Sequence, residues 1–409
     1  MIERVVIENF RSIQRVEVDL APFTVLVGPN GAGKTNFVVA LALLGRMIDV
    51  GSTDPATALG WRHLARRGPQ GTAARVTLSA TIVSSWDTTP LHPQGPTTRQ
   101  HLRVTAELTL RDGPEGVEIE REAIRVCDVD GTPIVTVEDD RTHPRVVDVP
   151  DAARAAALPG LRGQDLRAHG ANAERRFLGV LGPHGPWRLL VRQALSVSRF
   201  RFDASGLRSD ADADGTSALS PTGAHLAAEV LRLRGRADQP DPGFERVLSA
   251  LRVVYDRIED VRAVPLGPGR LGLQFQEAGI DEPLDQSAVS DGVLHALAFL
   301  VALFSHRRGV LALEEPENAL HPWAARALVS LAQEDRGRQL LLTTHSETVV
   351  SAIADVAALY LVEHDGRGTH VSRAADREAE LDTVLRQTGQ RLGDIWLDGS
   401  LGGVPEAPQ

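Results

Sequence analysis

Lysine is almost absent from this sequence. Lysine and arginine together number 44 in 409 residues, and only one of them, Lys34, is a lysine. A compact ammonium on a flexible stem and a planar guanidinium are not interchangeable where ligand groups are crowded. The single lysine therefore marks a position where a point charge is required, and Lys34 lies inside a glycine-rich loop.

The sequence also lacks the features of secreted and membrane proteins. Cys127 is the only cysteine, which excludes an internal disulfide and fits a reducing compartment. No apolar run approaches the roughly 18 residues that a membrane-spanning helix needs. The N-terminus leads directly into a strand-like pattern, without the pattern of a signal peptide. We therefore expect a cytoplasmic protein with no membrane association.

Positive charge is too scarce for a protein that coats nucleic acid. The formal net charge is −10, whereas proteins that bind DNA without sequence preference are usually basic. Contact with nucleic acid would need a local patch or the surface of a partner. Three arginine groups are candidates, and an ordinary solvated surface is the alternative for each of them: Arg62/Arg66/Arg67, Arg192/Arg199/Arg201 and Arg232/Arg234/Arg236.

One complete phosphate-binding loop is present. Residues Gly28–Thr35 match the pattern G-x-x-x-x-G-K-[ST], between an apolar strand pattern at Phe23–Val27 and an apolar helical pattern that runs to about Ile48. Glycines at these positions let backbone N–H groups turn toward phosphate oxygens. In this loop Lys34 is expected to reach the β- and γ-phosphates, and Thr35 to offer its hydroxyl to Mg²⁺. The sequence therefore predicts a site for ATP and Mg²⁺.

Two later apolar runs end in polar side chains suited to ATP hydrolysis. Val310–Leu313 leads into Glu314 and Glu315, and Gln339–Thr343 leads to His345. The carboxyl ends of parallel strands form the ligand-binding edge of an α/β sheet. Glu314 is expected to order Mg²⁺ together with Thr35, Glu315 to polarise the attacking water, and His345 to contact the γ-phosphate. An acidic loop and a structural histidine are the alternatives, and the order of the two motifs favours catalysis.

The remaining patterns predict an α/β fold in three regions. Alternating segments between residues 75 and 137 predict an antiparallel sheet, and the pattern from about 150 to 260 is mostly helical, with strand candidates at Val261–Val264 and Leu271–Phe275. After residue 289, helices and strands alternate, which is typical of a mostly parallel sheet with helices on both faces. We assign 1–149 to the loop and the antiparallel β subdomain, 150–285 to a mainly helical insertion lobe, and 286–409 to the second part of the α/β head.

Together these motifs resemble an ABC-type ATPase head of the RecF/SMC/OLD group, and above all the stand-alone OLD-like AAA-family ATPases that lack a fused TOPRIM nuclease. The resemblance covers about residues 1–45 and 285–365. Ile7–Ile13 is similar to the opening of such heads, in which the arginine, here Arg11, approaches the nucleotide phosphates. Ser290–Leu294 resembles the ABC signature, with Ser-Asp-Gly where Ser-Gly-Gly is usual, and Glu317–Pro322 resembles the D-loop. Glu314 stands where the group usually has Asp.

The resemblance implies an enzyme that hydrolyses ATP within a head-to-tail homodimer or a higher oligomer. Ser290 and Gly292 of one subunit would face the ATP held by the other. About 45 residues follow position 364, too few for a nuclease domain, so a nuclease-like effector is expected as a separate chain. The residues expected to contact the nucleotide, by motif or by resemblance, are Arg11, Asn30, Gly31, Ala32, Gly33, Lys34, Thr35, Asn36, Ser290 and Gly292.

The biological setting that this resemblance favours is anti-phage defence. Nucleic acid would be contacted directly or through the partner. The main alternative is a RecF-like DNA-repair ATPase that binds DNA itself. A transporter subunit and a regulatory module with little hydrolysis are lesser alternatives.

Overall fold

The computed structural model describes most of the chain. The described residues are 1–69, 71–88, 98–139, 144–148, 191, 194–213, 217–235, 242–305, 309–335, 337–377, 381, 391–399 and 402. No helix in these ranges is long and apolar enough to cross a lipid bilayer. Strands and helices are numbered along the chain.

A six-stranded sheet, here called the α/β sheet, carries the loop and both later motifs. Its strands lie in the order β11-β16-β17-β3-β18-β19, and all but the last are parallel. Apolar side chains fill the central strands, as expected for a parallel sheet buried on both faces. The strands are β3 (Phe23–Val27), β11 (Val197–Phe200), β16 (Val310–Glu314), β17 (Gln339–Thr344), β18 (Leu359–His364) and β19 (Thr369–Arg373).

The register of this sheet places three functional segments at one edge. Glu314 in β16 pairs with Thr343 in β17, and Thr344 pairs with Val27 in β3. The phosphate-binding loop follows Val27 directly, and His345 follows Thr344. The mostly parallel sheet predicted for the C-terminal region is therefore confirmed, and β3 is inserted between β17 and β18 of that region.

A seven-stranded antiparallel sheet covers the helix that follows the loop. It contains the predicted alternating segments together with the two N-terminal strands, in the order β10-β9-β8-β7-β6-β1-β2. Phe37 and Leu41 of α1 (Lys34–Val50) share one core with residues of this sheet such as Ile7. The strands are β1 (Ile2–Phe10), β2 (Ile13–Asp19), β6 (Arg75–Thr88), β7 (Thr98–Gly113), β8 (Gly116–Asp128), β9 (Pro133–Asp139) and β10 (Pro144–Asp148).

Gln339 joins the two sheets inside the protein. Its side chain accepts a hydrogen bond from Ile2 N at 2.8 Å and donates one to Ile2 O at 2.8 Å. Because buried backbone polar groups must find partners, this amide completes the end of β1 where the α/β sheet begins. The N-terminal strand is thereby fixed to the start of β17, at the end of the α/β sheet opposite the loop.

The central region contains strands as well as helices. Its helices are α4 (Ala204–Leu207), α5 (Leu226–Arg234) and α6 (Pro242–Val254), and its strands β12 (Ala211–Asp212), β13 (Ile258–Gly267), β14 (Arg270–Glu277) and β15 (Leu284–Asp285) form a small sheet. β13 and β14 include the two strand candidates. β11, in contrast, lies in a stretch interpreted as helical, and although it falls within 150–285 it pairs with β16 of the α/β sheet.

The remaining helices surround these sheets. α7 (Asp291–Ser305) is buried from Gly292 to Phe304, which explains its continuous apolar sequence. The others are α2 (Asp54–Leu59), α3 (Trp61–Leu64), α8 (Pro322–Glu334), α9 (Glu347–Val350) and α10 (Leu392–Leu397), with short 3₁₀ turns at Val356–Ala358 and Ala374–Arg377 and a two-stranded ribbon of β4 (Arg67–Gly68) and β5 (Gly71–Thr72).

Candidate active site

The phosphate-binding loop leaves β3 and turns into α1 within six residues. Gly31 and Gly33 have φ values of +83° and +108°, in the left-handed region that glycine enters without strain. Asn30 and Gly31 are exposed at the tip of the loop, and Ala32 is buried. Ala32 N donates to Pro29 O at 3.2 Å, which closes the loop on itself. The backbone therefore has the turned form that an anion cradle requires.

The hairpin of β18 and β19 packs closely against this loop. A Cβ at Gly28 would overlap the carbonyl oxygen of Val362, and one at Gly33 would overlap the Thr369 hydroxyl. Thr369 Oγ1 lies 2.7 Å from Ser12 Oγ and donates to Ala32 O at 2.8 Å. Thr369 thus stabilises the loop through its hydroxyl. The sequence did not predict this role, because no local pattern around Thr369 indicates a ligand site.

Alanine substitutions at two loop glycines should distinguish the energetic cost of close packing from the cost of a positive φ. Gly28→Ala places a methyl group against a rigid strand carbonyl, and we expect it to lower the free energy of unfolding by about 1–3 kcal/mol or more. Gly31→Ala meets nothing within 4 Å and carries only the cost of its positive φ, about 1–2 kcal/mol. Urea denaturation of both variants measures the difference, and equal destabilisation would contradict the packing of Gly28 on β18.

Lys34 lies under the loop and close to a group of carboxylates. Its Nζ donates to Gly28 O at 2.6 Å and to Pro29 O at 3.0 Å. The residue is buried, and burial lowers the pKa of Lys34, against the opposing charges of Glu315, Glu317 and Glu314. The ammonium therefore stands where phosphate oxygens held by the loop would meet it.

Glu314 ends β16 directly beside the start of α1. Its side chain is 1% exposed, and its Oε2 accepts a hydrogen bond from Thr35 Oγ1 at 2.6 Å. A hydroxyl and a carboxylate are hard oxygen donors of the kind that Mg²⁺ prefers, and Mg²⁺ in nucleotide sites is usually held by one or two such groups together with phosphates and water. Across the described residues there is no group of three or more acidic, His or Cys side chains that could hold a metal by itself. The pair therefore fits Mg²⁺ held jointly with a nucleotide.

Glu315 occupies a sharp turn after the strand. Its φ is +50°, and its Oε2 accepts hydrogen bonds from Arg201 Nη2 at 2.9 Å and Asn318 Nδ2 at 3.2 Å. Burial raises the pKa of Glu315, but these hydrogen bonds and the charges of Arg201 and His345 outweigh burial, so the pKa lies below its usual value. The side chain is therefore an ionised acceptor at neutral pH, as a group that orients water must be.

His345 faces the same edge from β17. Its Nδ1 lies 3.9 Å from Glu315 Oε1 and 3.7 Å from Glu317 Oε1. Glu317 Oε1 accepts hydrogen bonds from Thr344 Oγ1 at 2.7 Å and from His345 N at 3.3 Å. The structure thus brings Lys34, Thr35, Glu314, Glu315 and His345 to one sheet edge, as their positions in the sequence predicted.

Two segments of the chain match known protein families. Residues 1–49 match a family described as "AAA ATPase domain", and residues 185–351 match one described as "AAA domain, putative AbiEii toxin, Type IV TA system". The OLD nuclease of Thermus scotoductus is 25% identical over 384 residues, which cover 89% of this chain and 62% of that protein. This chain therefore spans less than two thirds of the relative's length.

The two family matches include the loop and the glutamate pair respectively. The chain is therefore similar to AAA ATPases over two segments and to an OLD nuclease over most of its own length. It binds nucleotide and hydrolyses ATP.

Solved structures with a related shape include three SMC head domains. An SMC head bound to the C-terminal winged-helix domain of ScpA has a TM-score of 0.48 and 14% identity and covers 91% of this chain and 97% of its own. The SMC head of Thermotoga maritima has a TM-score of 0.36 and 14% identity, with coverages of 91% and 98%. The SMC head derived from Pyrococcus furiosus with an extended coiled coil has a TM-score of 0.45 and 13% identity, with coverages of 94% and 99%.

Arg11 contacts the first turn of α1, directly after the loop of the ATPase. Its φ is +50°, its Nε donates to His63 O at 3.0 Å, and its Nη1 donates to Asn36 Oδ1 at 3.2 Å. Asn36 in turn donates to Ser12 Oγ at 2.8 Å. Burial, and then the nearby charge of Arg199, lower the pKa of Arg11. Asn36 therefore positions Arg11 at the first turn of α1.

Ser290 and Gly292, which resemble the ABC signature, contact other parts of the chain than the loop in the described residues. Ser290 is exposed, and its Oγ accepts a hydrogen bond from Val293 N at 3.4 Å. A Cβ at Gly292 would lie 2.7 Å from Tyr255 Oη and 2.9 Å from Ala319 O, so this glycine packs against the D-loop. Within the described part of the chain, no hydrogen bond connects either residue to Gly28–Thr35.

Arg208 fixes the conformation of this signature segment. It donates to Asp291 Oδ1 at 2.6 Å and to Val289 O at 2.9 Å. It also donates to the backbone carbonyl of Gln286 at 2.6 Å. Sequence reasoning missed Arg208, because its partners lie about 80 residues further along the chain. The N-terminus of α7 is therefore presented by a rigid segment.

Proposed function

We propose that the ATPase closes head to tail around ATP and controls a nuclease-like partner that processes nucleic acid in anti-phage defence. The observation that carries this proposal is the exposure of Ser290, which makes no hydrogen bond to the loop among the described contacts. The loop, Glu315 and His345 share one edge, while Ser290 lies exposed at the start of α7. A symmetric pair of chains would complete two identical sites, each with a signature from the other subunit.

In the proposed site, each residue has one task. Lys34 and Arg11 bind phosphate oxygens, and Thr35 and Glu314 hold Mg²⁺, which supplies charge neutralisation on the phosphates when bound. Glu315 orients the attacking water, and His345 contacts the water and the γ-phosphate. Backbone groups of Asn30–Gly33 cradle the phosphates, Asn36 supports Arg11, and Ser290 and Gly292 approach the ATP of the partner subunit.

The proposed effector follows from the relative rather than from this chain. The protein with 25% identity is named as a nuclease, and the chain spans 62% of its length. A family match described by a toxin system points to a similar setting. We propose a nuclease-like protein as the partner whose activity follows the nucleotide state of the ATPase.

A RecF-like ATPase that binds DNA directly is the second candidate, and one surface favours it. Arg62 and Arg67 are exposed, and Arg66 is half-buried, at α3 and β4 beside the loop. In the described contacts, Arg67 donates to Arg62 O at 3.0 Å and Arg66 to Arg367 O, both of which are backbone carbonyls. This patch therefore keeps its positive charge available for phosphates.

The other two arginine groups are neutralised where they are described. Arg199 and Arg201 pair with Glu314 and Glu315. Arg232 pairs with Glu229, and Arg234 with Asp260 at 2.8 Å. Arg192 and Arg236 lie outside the described residues or side chains. Of the three predicted patches, only the first remains a candidate for nucleic acid.

The test uses tagged full-length Glu315→Gln protein, purified from its native host with ATP and Mg²⁺, and Lys34→Met as the control that does not trap ATP. A nuclease-like protein captured by the first variant and not the second, which then cleaves plasmid DNA only when mixed with the ATPase, supports the proposal. If no such protein is captured, but the ATPase alone binds DNA in an ATP-dependent and salt-sensitive manner, the RecF-like function is correct. Loss of that binding in a triple Arg62/Arg66/Arg67→Ala variant would locate it.

A further inference from the structure

Strand β11 brings two arginines to the glutamate pair. It pairs in parallel with β16, with Arg199 opposite Ala312. Arg199 lies within β11, Arg201 follows the strand directly, and Phe200 between them packs into the core. Arg199 Nε donates to Glu314 Oε1, and Arg201 Nη2 donates to Glu315 Oε2 at 2.9 Å. Each carboxylate of the proposed site therefore has its own guanidinium.

The contact at Glu314 has a clear physical cause. The carboxylate is 1% exposed, and an ionised carboxylate buried without compensation is strongly unfavourable. Arg199 supplies the compensating charge on Oε1, while Thr35 donates to Oε2. Both oxygens are therefore occupied by protein groups, and one of these groups, Arg199, stands where a cation held by Glu314 would compete with it.

Arg199 also lies close enough to Arg11 for their charges to interact. Its side chain is 31% exposed, so the guanidinium has room to leave Glu314. Its charge lowers the pKa of Arg11, after the larger effect of burial, which places the two guanidinium groups near each other. Arg11 is held at the first turn of α1 by Asn36. Two like charges near this loop repel each other, and an anion bound there would relieve that repulsion.

We propose that Arg199 is a phosphate-binding residue of the ATPase that rests on Glu314 and moves to the phosphates of ATP when Glu314 accepts Mg²⁺. The inference rests on the ATP site proposed above. Arg199 thereby neutralises Glu314 in the nucleotide-free protein and becomes the additional donor to the γ-phosphate in the loaded one. A guanidinium in that place stabilises the negative charge that develops during phosphoryl transfer.

If Arg199 only supported Glu314 as its ion-pair partner, removal of Arg199 should weaken Mg²⁺ binding. Residues that only orient a metal-binding carboxylate typically strengthen metal binding by about 10- to 100-fold. A residue that competes with the metal for the same oxygen weakens it instead. The sign of the change in Mg²⁺ affinity on removal of Arg199 therefore separates the two roles, independently of turnover.

The experiment measures Mg²⁺-dependent binding of a fluorescent non-hydrolysable nucleotide, mant-AMPPNP, to the full chain. Arg199→Gln should lower the Mg²⁺ concentration at half-saturation by roughly tenfold, as expected when one charge-assisted hydrogen bond no longer competes. The same variant should lower kcat by about 10²- to 10³-fold, the usual effect of losing one donor to the transition state. Arg201→Gln, whose partner is Glu315, should leave the Mg²⁺ half-saturation unchanged.

A higher Mg²⁺ requirement in Arg199→Gln, or an unchanged kcat, would overturn the proposal. If Arg199→Gln does not fold, as judged by thermal unfolding, Arg199→Lys retains the charge on Glu314 and loses the planar fork. That variant should then show wild-type Mg²⁺ dependence with reduced kcat, and wild-type kcat in it would equally overturn the proposal. Failure of the wild-type protein to bind mant-AMPPNP at any Mg²⁺ concentration would refute the ATP site itself.

Discussion

Replacing Glu315 with glutamine should reduce kcat for ATP hydrolysis by about 10²- to 10⁴-fold, the range contributed by a positioned general base. The pKa of Glu315 lies below its usual value because Asn318 and Arg201 donate to it, outweighing burial. Glutamine keeps the size of the side chain and one oxygen but cannot take a proton from water. ATP should still bind, since Lys34 and Thr35 are unchanged. Single-turnover hydrolysis and equilibrium nucleotide binding measure the two effects separately.

The oligomeric state of this variant tests the split site. With ATP and Mg²⁺, Glu315→Gln should accumulate as a dimer in light scattering, whereas the wild-type protein should dissociate as ATP is consumed. Ser290→Arg, which places a bulky cation at the exposed start of α7, should abolish this dimer without affecting the fold. The assignment of the base would be incorrect if Glu315→Gln turned over normally while Glu314→Gln was inactive.

The glutamate pair, the histidine and the loop were predictable because each belongs to a short segment with its own structural signal. An apolar strand precedes each of Gly28, Glu314 and His345, and parallel strands bring their carboxyl ends to one edge. The antiparallel sheet was predictable for the same reason, since alternation over long strands is a local pattern. In these segments local sequence and long-range pairing agree.

The residues that were missed depend on contacts between distant segments. β11 is only four residues long and lies in an arginine-rich stretch with helical character, and its pairing partner β16 is more than 100 residues away. Arg199 and Arg201 were therefore interpreted as candidates for a nucleic-acid patch, whereas the structure pairs them with Glu314 and Glu315. Thr369 contacts the loop across more than 300 residues of sequence. Side chains of this kind carry no local pattern.

Glu317 shows that a sequence motif does not predict all the contacts of its own side chains. Its position was assigned only to the D-loop, yet its carboxylate accepts hydrogen bonds from Thr344 Oγ1 and from the backbone of His345. The motif alone gives the order of residues but not which neighbours their side chains reach after the turn at Glu315. The turn, with a positive φ at Glu315 and another at Ala319, decides that Glu317 folds back on β17.

Replacing Lys34 with methionine should abolish high-affinity ATP binding while the protein remains folded. Truncation of one partner in a buried, hydrogen-bonded charge pair costs about 2–5 kcal/mol, a loss of about 30-fold to several thousand-fold in affinity. Lys34 is buried in the nucleotide-free protein, where burial lowers its pKa. An apolar side chain of similar length removes that desolvation cost but also the hydrogen bonds to Gly28 O and Pro29 O, so the free energy of unfolding should fall by no more than about 1–3 kcal/mol. Isothermal titration with ATP and urea denaturation measure the two quantities.

Lys34→Arg provides the matched control, because it keeps the charge and changes only its shape. The chain has 43 arginines and one lysine. If the loop requires a compact ammonium, arginine at this position should not support ATP binding. The space available supports this, since Nζ lies 2.6 Å from Gly28 O and the residue is buried, which leaves no room for a planar fork. We expect ATP affinity close to that of Lys34→Met. Normal ATP binding by Lys34→Arg would show that charge alone is sufficient and that the single lysine of the sequence has another cause.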